Sequence, residues 1–138
     1  MRTVETRRPS FPDVAPNRLL DLPASGRWHV VCGDAGHWRM GLYSPTKGAP
    51  EEVRELEQHD CPELFLLLEG RVSLLTIEDG APSVTELEPG RPVLVTAPHT
   101  GFCPDGPGTG TALVVERDEF RTTYRSVEDW IEAARREP

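Results

Sequence analysis

Short apolar runs, separated by turns rich in glycine and proline, make up most of this 138-residue chain. Strands are predicted over residues 27–32, 38–43, 64–68, 71–77, 83–87, 92–96 and 111–116, where leucine, β-branched or aromatic side chains concentrate. Many short strands with such turns are typical of an all-β sandwich or barrel. We therefore predict an all-β fold.

The C-terminal residues 121–138 have a different pattern. Ser126, followed three positions later by Asp129, resembles a helix capping box. The apolar side chains recur at helical spacing and form one stripe: Val127, Trp130, Ile131 and Ala134. This segment is predicted to be an amphipathic α-helix that ends the domain.

The N-terminal residues 1–26 contain four prolines and few periodic apolar positions. They are predicted to form an irregular arm that lies over the domain or crosses to a partner. The chain is accordingly divided into a proline-rich arm (1–26), a β-barrel (27–120) and a C-terminal helix (121–138).

Residues 51–59 allow two interpretations. Pro50 and the glutamates after it could open a helix, with Val53 and Leu56 three positions apart. In a strand, Glu57 and His59 would share one face with Val53, and Leu56 would take the other. β-type runs flank the segment on both sides, so we interpret it as a strand.

Composition narrows the class of protein. The length suits one domain, and no apolar run approaches the ~20 residues that cross a bilayer. The net charge is −8, and residues 49–90 carry eleven acidic side chains against Arg54 and Arg71, which argues against nucleic acid as a partner. The first residues lack the apolar core of a secretory signal, so we expect a cytoplasmic protein. The three widely spaced cysteines (Cys32, Cys61 and Cys103) suit reduced thiols.

Candidate chemistry lies in residues 57–70. Side chains two positions apart on a strand share a face, so Glu57 and His59 can point the same way. Glu63 opens the next apolar run and has the same parity as Phe65 and Leu67. Polar groups aimed into an apolar interior are costly unless they bind something or each other. The segment therefore predicts a site.

The same segment resembles the first motif of the cupin superfamily, whose members are double-stranded β-helix barrels of jelly-roll type. In that motif two histidines one residue apart precede a glutamate, and a glycine follows after six further residues. Glu63 and Gly70 have this spacing, His59 stands at the second histidine, and Glu57 replaces the first. The resemblance covers roughly residues 38–116 and implies this barrel, with the N-terminal arm and the C-terminal helix added.

The second motif of the superfamily is looser here. Glu88, Pro89 and Gly90, followed by an apolar run, are similar to its Pro-Gly turn and strand. The last histidine ligand would then fall near Gly101, and His99 stands two residues earlier, an offset that keeps strand parity. Cys103, two residues later, is the rival occupant.

The resemblance implies that Glu57, His59, Glu63 and His99 hold a divalent Fe, Mn, Ni or Zn ion, in a dioxygenase, isomerase or lyase that acts on a small organic metabolite. Two alternatives remain open. One is a metal-free barrel that binds or senses a small molecule, and the other is a metal-independent isomerase or cyclase with Glu63 and His59 as acid and base. Barrels of this kind often pair, so a homodimer is expected, through the arm and the Trp130 stripe.

Overall fold

A computed structural model describes residues 1–23 and 25–136. Within these residues the chain forms eleven β-strands, a short 3-10 helix (Pro50–Glu52) and one α-helix. In chain order the regular elements are β1 (Arg2–Thr6), β2 (Trp28–Asp34), β3 (Trp38–Tyr43), β4 (Glu55–His59), β5 (Glu63–Glu69), β6 (Ser73–Glu78), β7 (Ala81–Glu86), β8 (Val93–Val95), β9 (His99–Phe102), β10 (Thr111–Arg117), β11 (Phe120–Ser126) and α1 (Val127–Arg136). In the described ranges, no helix is both long and apolar enough to cross a membrane.

The strands form two antiparallel sheets that face each other. One sheet has six strands in the order β1-β11-β4-β9-β6-β7, and the other has five in the order β2-β3-β10-β5-β8. A core cluster joins both sheets, because Phe65 and Val114 of the five-stranded sheet pack with Leu74 of the six-stranded one. The predicted all-β fold is confirmed.

The helix covers the other face of the six-stranded sheet. Side chains alternate between faces along a strand, so Leu75 of β6 points away from Leu74 and joins Leu56 and Trp130 in a second apolar cluster. The Trp130 indole N–H donates a 3.0 Å hydrogen bond to the Leu56 carbonyl. Trp130 is therefore a core residue of its own chain, and the expected dimer contact through the Trp130 stripe stays a prediction.

The start of the helix differs from the prediction. The capping interaction is present, because the backbone N–H of Asp129 donates to Ser126 Oγ at 3.1 Å. The helix begins at Val127, however, and the preceding residues form β11 between β1 and β4. Residues 121–126 were wrongly included in the helix, because a strand buried by pairing on both sides need not show a strong apolar alternation.

The N-terminal arm contains a strand where an irregular segment was predicted. β1 pairs antiparallel with β11, from Arg2 opposite Tyr124 to Thr6 opposite Phe120. Further along, buried Asp118 accepts hydrogen bonds from the backbone N–H of Ser10 at 2.7 Å, from Ser10 Oγ at 2.6 Å and from the backbone N–H of Gly36 at 2.7 Å. The two bonds from Ser10 fasten the arm to the rest of the domain, and the bond from Gly36 joins the β2–β3 turn to the same carboxylate.

The ambiguous residues 51–59 divide between the two interpretations. Pro50 does open a helical turn, but this 3-10 helix ends at Glu52. β4 follows and pairs with β11 and β9, so the strand interpretation is confirmed for Glu55–His59. As a result, Leu56 faces the helix, whereas Glu57 and His59 face the interior between the sheets.

Candidate metal centre

Four side chains from three strands meet in the interior between the two sheets. Glu57 and His59 come from β4, His99 from the adjacent β9, and Glu63 from β5 of the facing sheet. Glu57 and His99 are direct partners across the β4–β9 pair. One possible ligand atom from each residue can be chosen so that all four lie within 4.8 Å of one another.

Glu63 is at the centre of this group. Its Oε1 lies 2.6 Å from His59 Nε2 and 2.8 Å from His99 Nε2. Glu57 Oε1 is more distant, at 3.8 Å from His59 Nε2 and 4.0 Å from His99 Nε2. Glu63, His59 and His99 have almost fully buried side chains, whereas that of Glu57 is 29% exposed. Glu57 therefore forms the solvent-facing side of the group.

The far nitrogen of each imidazole is held by a neighbour. His59 Nδ1 lies 2.7 Å from Thr122 Oγ1, and His99 Nδ1 lies 2.8 Å from the Ala97 carbonyl oxygen. A carbonyl can only accept, so His99 Nδ1 carries a hydrogen, and a neutral His99 presents the lone pair of Nε2 to the Glu63 carboxylate. Metal-binding histidines are commonly oriented in this way by a hydrogen bond from the other nitrogen.

The short contacts to Glu63 do not have hydrogen-bond geometry. Among the described residues, neither Glu63 Oε1 nor His99 Nε2 has a hydrogen-bond partner, although both atoms are buried. Two acceptors that face each other at 2.8 Å repel unless a proton or a cation lies between them. The donor set therefore fits a bound cation.

In the metal-free protein, protons on the two imidazoles supply the positive charge beside the Glu63 carboxylate. Burial opposes protonation of His99, but the Glu63 carboxylate outweighs burial and raises the pKa of His99 to about 9. The pKa of His59 is also raised, because Glu63 again outweighs burial. Burial alone would raise the pKa of Glu63, yet contact with the two imidazoles lowers it well below its ordinary range. The metal-free group is thus an anionic carboxylate between two imidazoles that tend to be protonated.

A cavity of about 360 Å³ opens beside these residues. Its walls combine apolar side chains such as Phe65 and Val114 with polar ones such as Tyr43 and Tyr124. Burial and the nearby Glu57 carboxylate raise the pKa of Tyr124 to about 12, so its hydroxyl stays protonated at neutral pH. The volume is near the lower end of the range of small-molecule sites.

Glu116, on β10, is a wall residue of this cavity that the sequence reasoning missed. Its Oε1 accepts hydrogen bonds from Arg39 Nε at 3.1 Å and Nη2 at 2.9 Å, and its Oε2 lies 3.9 Å from His59 Nε2. Burial and the Glu63 carboxylate raise the pKa of Glu116 to about 7, against the opposing effect of Arg39. Along β10, Glu116 lies on the same face as the inward-facing Ala112 and Val114, and this alternation was the sequence signal that could have identified it.

The structure separates the two rivals for the second motif. His99 faces the cavity and lies on β9, which was not among the predicted strands. Cys103 lies in the apolar core, with its thiol 3.5 Å from the Pro45 carbonyl oxygen, so it does not replace His99. Cys32, Cys61 and Cys103 are free thiols.

Comparison with known proteins gives matches among solved structures alone. No protein-family model and no curated protein sequence matches the chain. Hydroxypropylphosphonic acid epoxidase from S. wedmorenis superposes with a TM-score of 0.52 and 17% identity, over 78% of this chain and 59% of that chain. Fe(II)-HppE with the alternative substrate (S)-1-HPP has a TM-score of 0.51 and 16% identity, over 76% and 62%. DMSP lyase DddQ from Ruegeria pomeroyi DSS-3 has a TM-score of 0.48 and 19% identity, over 65% and 45%.

The epoxidase is a cupin-fold protein, so the predicted cupin-type fold is confirmed. The chain spans about three fifths of the length of the epoxidase chains and less than half of the lyase chain. At 16–19% identity, the likeness shows the fold alone.

Proposed function

We propose that this protein is a cupin-fold enzyme that holds one divalent transition-metal ion with Glu57, His59, Glu63 and His99 and acts on a small organic metabolite in the adjacent cavity. The observation that carries the proposal is the convergence of one possible ligand atom from each of the four residues within 4.8 Å, two of which, Glu63 Oε1 and His99 Nε2, are buried and unpartnered at 2.8 Å from each other. Such a contact is stable only with a positive charge between the two atoms.

The donor set supports a transition metal. Two imidazole nitrogens with two carboxylate oxygens suit Fe(II), Mn(II), Ni(II) or Zn(II). Ligands on opposite sides of one such ion are about 4.2 Å apart at bond lengths near 2.1 Å, and the Glu57 contacts of 3.8 and 4.0 Å lie within that span. Names of solved neighbours specify Fe(II) and Co(II) in the same fold.

The bound metal would supply Lewis acidity to a coordinated oxygen of the metabolite. The protein residues would orient the centre and shape its surroundings. Thr122 and Ala97 hold the far nitrogens of the two imidazoles and so point both Nε2 atoms at Glu63. Phe65 and Phe120 line the cavity and limit the access of water to the centre.

A metal-independent isomerase or cyclase is the second candidate, favoured by the 2.6 Å contact between His59 Nε2 and Glu63 Oε1. In it, Glu63 would accept a proton from the metabolite and a protonated imidazole would return it. The lowered pKa of Glu63 makes this carboxylate a weak base, which counts against that chemistry. A metal-free binding or sensing barrel is the third candidate and predicts binding without turnover.

Metal content separates these candidates. Protein purified without chelators should contain about one equivalent of a transition metal, or take it up on reconstitution, as measured by elemental analysis and calorimetry. His99→Ala removes a ligand and should weaken metal binding at least about a hundredfold. His29→Ala is the matched control, because His29 contacts the Ser25 carbonyl oxygen and does not line this cavity.

Absence of metal after reconstitution, in a protein whose circular dichroism shows a folded β structure, would contradict the proposal and leave the two metal-free candidates. Glu63→Gln then divides those two. A binder should lose affinity and never show turnover, whereas an isomerase should lose turnover.

A homodimer in the cytoplasm is the remaining part of the proposal. The three free cysteines are compatible with a reducing compartment. The arm and the Trp130 stripe are the expected contacts, and in the arm Leu19 is fully exposed while Leu22 is 49% exposed. Light scattering at micromolar concentration should give twice the monomer mass of 15.3 kDa, and Leu19→Ser should shift the protein toward monomer.

A further inference from the structure

Glu116 has one oxygen with no partner. Its side chain is 3% exposed, and Arg39 fully occupies Oε1 with two N–H donors. Oε2 is buried beside the cavity and has no hydrogen-bond partner in the described part of the chain. Leaving a buried carboxyl oxygen unpartnered in this way destabilises the fold. An atom of this kind in the wall of a binding cavity is expected to accept a hydrogen bond from the ligand.

Arg27 lies in the exposed part of the same cavity wall. Its guanidinium forms no ion pair with the carboxylates in residues 1–23 and 25–136, whereas exposed Arg2, Arg71 and Arg121 each pair with a glutamate. The other arginine in the cavity wall, Arg39, already serves Glu116. Arg27 is thus the cation available to a ligand at the mouth of the cavity.

The charges of the cavity indicate which ligand fits. A divalent ion is neutralised by the Glu57 and Glu63 carboxylates, and Glu116 is neutralised by Arg39. Arg27 then leaves one net positive charge, which favours a ligand with one negative charge. The hydrogen-bond donor that reaches Glu116 is better a hydroxyl than an ammonium group, because an ammonium would be repelled by Arg39 and the metal ion.

We propose that the cavity takes a small hydroxy acid, with the carboxylate against Arg27 at the mouth and the hydroxyl donating a hydrogen bond to Glu116 Oε2 inside. This inference rests on the proposed metal centre. The volume of about 360 Å³ holds roughly a dozen water-sized groups, which is enough for a hydroxy acid of three to six carbons. Glu116 and Arg27 thereby become residues that determine the substrate class.

The test uses the full chain loaded with Co(II) at pH 8, with the visible absorption of the metal and calorimetry as readouts. Lactate and 3-hydroxybutyrate are the probes. Pyruvate and acetoacetate carry a keto oxygen in place of the hydroxyl, so they can accept a hydrogen bond there but cannot donate one. Propionate and butyrate lack the hydroxyl altogether, and propane-1,2-diol lacks the carboxylate. At least one hydroxy acid should bind tenfold or more tightly than each of its own analogues and than the diol.

Two variants assign the contacts. Arg27→Ala should weaken binding of the preferred hydroxy acid at least tenfold and leave binding of the diol unchanged, whereas Arg71→Ala should change neither. Glu116→Gln places an amide N–H donor in the cavity wall, so the preference for hydroxy acid over keto acid should vanish or reverse. Glu119→Gln, an exposed surface change, should retain the preference.

The experiment distinguishes failure of this inference from failure of the proposed metal centre. If the protein takes up no Co(II), the proposed function fails first. If Co(II) is bound but neither hydroxy acid binds up to ~10 mM, well above typical working concentrations, the inference is overturned. Equal binding of hydroxy acid and analogues in the wild type, or unchanged preference in Glu116→Gln, overturns it as well.

Discussion

Replacing Asp118 should release the N-terminal arm and cost a large part of the stability of the protein. This carboxylate is fully buried and accepts three hydrogen bonds, two from Ser10 and one from Gly36. The same Ser10 offers its carbonyl oxygen to Arg39 at 3.2 Å. Asp118 thus connects the arm, the β2–β3 turn and the arginine that holds Glu116.

The size of the effect follows from these bonds. A hydrogen bond to a charged group contributes about 1.5–3 kcal/mol, and bonds that share one acceptor are not additive. Asp118→Ala should therefore lower the free energy of unfolding by about 3 kcal/mol. Asp118→Asn keeps one acceptor oxygen and turns an N–H₂ toward a donor, so we expect a loss of about 1.5 kcal/mol.

These losses can be measured by urea unfolding and by thermal denaturation. For 138 residues the entropy of unfolding is about 0.29 kcal/mol/K, so 3 kcal/mol corresponds to a Tm decrease of roughly 10 °C. Asp105 forms an exposed ion pair with Arg71, so Asp105→Asn is the control and should shift Tm by about 2 °C or less. A loss for Asp118→Ala no larger than that of the control would refute the reasoning.

The pH dependence adds a second check on Asp118. Burial would raise its pKa, but the Ser10 and Gly36 donors outweigh burial and lower the pKa below the ordinary value of 3.8. A lowered folded-state pKa means that the stabilisation is fully present above the unfolded value and is lost as pH falls through the folded one. The difference in unfolding free energy between wild type and Asp118→Asn should therefore shrink as the pH is lowered from 6 toward 3. A difference that stays constant over this range would contradict the proposed role of the Asp118 carboxylate.

Two further predictions concern the core and the metal centre. Trp130→Phe removes the hydrogen bond from the indole N–H to the Leu56 carbonyl and should lower the free energy of unfolding, measured in urea, by about 1–2 kcal/mol. Ile131→Val is the control for packing alone. An unchanged urea midpoint for Trp130→Phe would contradict this prediction. Because the pKa of His99 is raised to about 9 in the metal-free protein, metal must displace its proton at neutral pH. Metal affinity should rise about tenfold per pH unit between pH 6 and 8 for each proton released. Calorimetry in buffers of different ionisation enthalpy should detect the release of at least one proton per metal ion bound. A metal affinity that does not change with pH would contradict the prediction.

Features with a local signal were predictable from the sequence. Glu63 opens an apolar run that ends at Gly70, where φ is +65° and an added Cβ would come within 2.3 Å of the Thr109 carbonyl oxygen, so the turn requires glycine. The cap at Ser126 likewise marked the true start of the helix. Parity along β4 placed Glu57 and His59 on one face, as the structure has them.

Features that depend on distant pairing were not predictable in this way. β1 pairs with β11 from the opposite end of the chain, and nothing in residues 2–6 indicates that partner. β9 follows Pro98 and forms a strand because β4 and β6 pair with it on both sides. Glu116 lies in the cavity wall opposite an arginine 77 positions away, and a single acidic residue at the end of a strand is usually a surface residue.

The central claim is that Glu57, His59, Glu63 and His99 bind one metal ion together. The most direct test is anomalous diffraction at the Co edge from crystals of the Co(II)-loaded protein. We expect one strong peak per chain, within about 2.0–2.3 Å of an atom from each of the four residues. A peak bound elsewhere on the chain, or no peak in crystals grown from protein that retains Co(II) in solution, would contradict the claim.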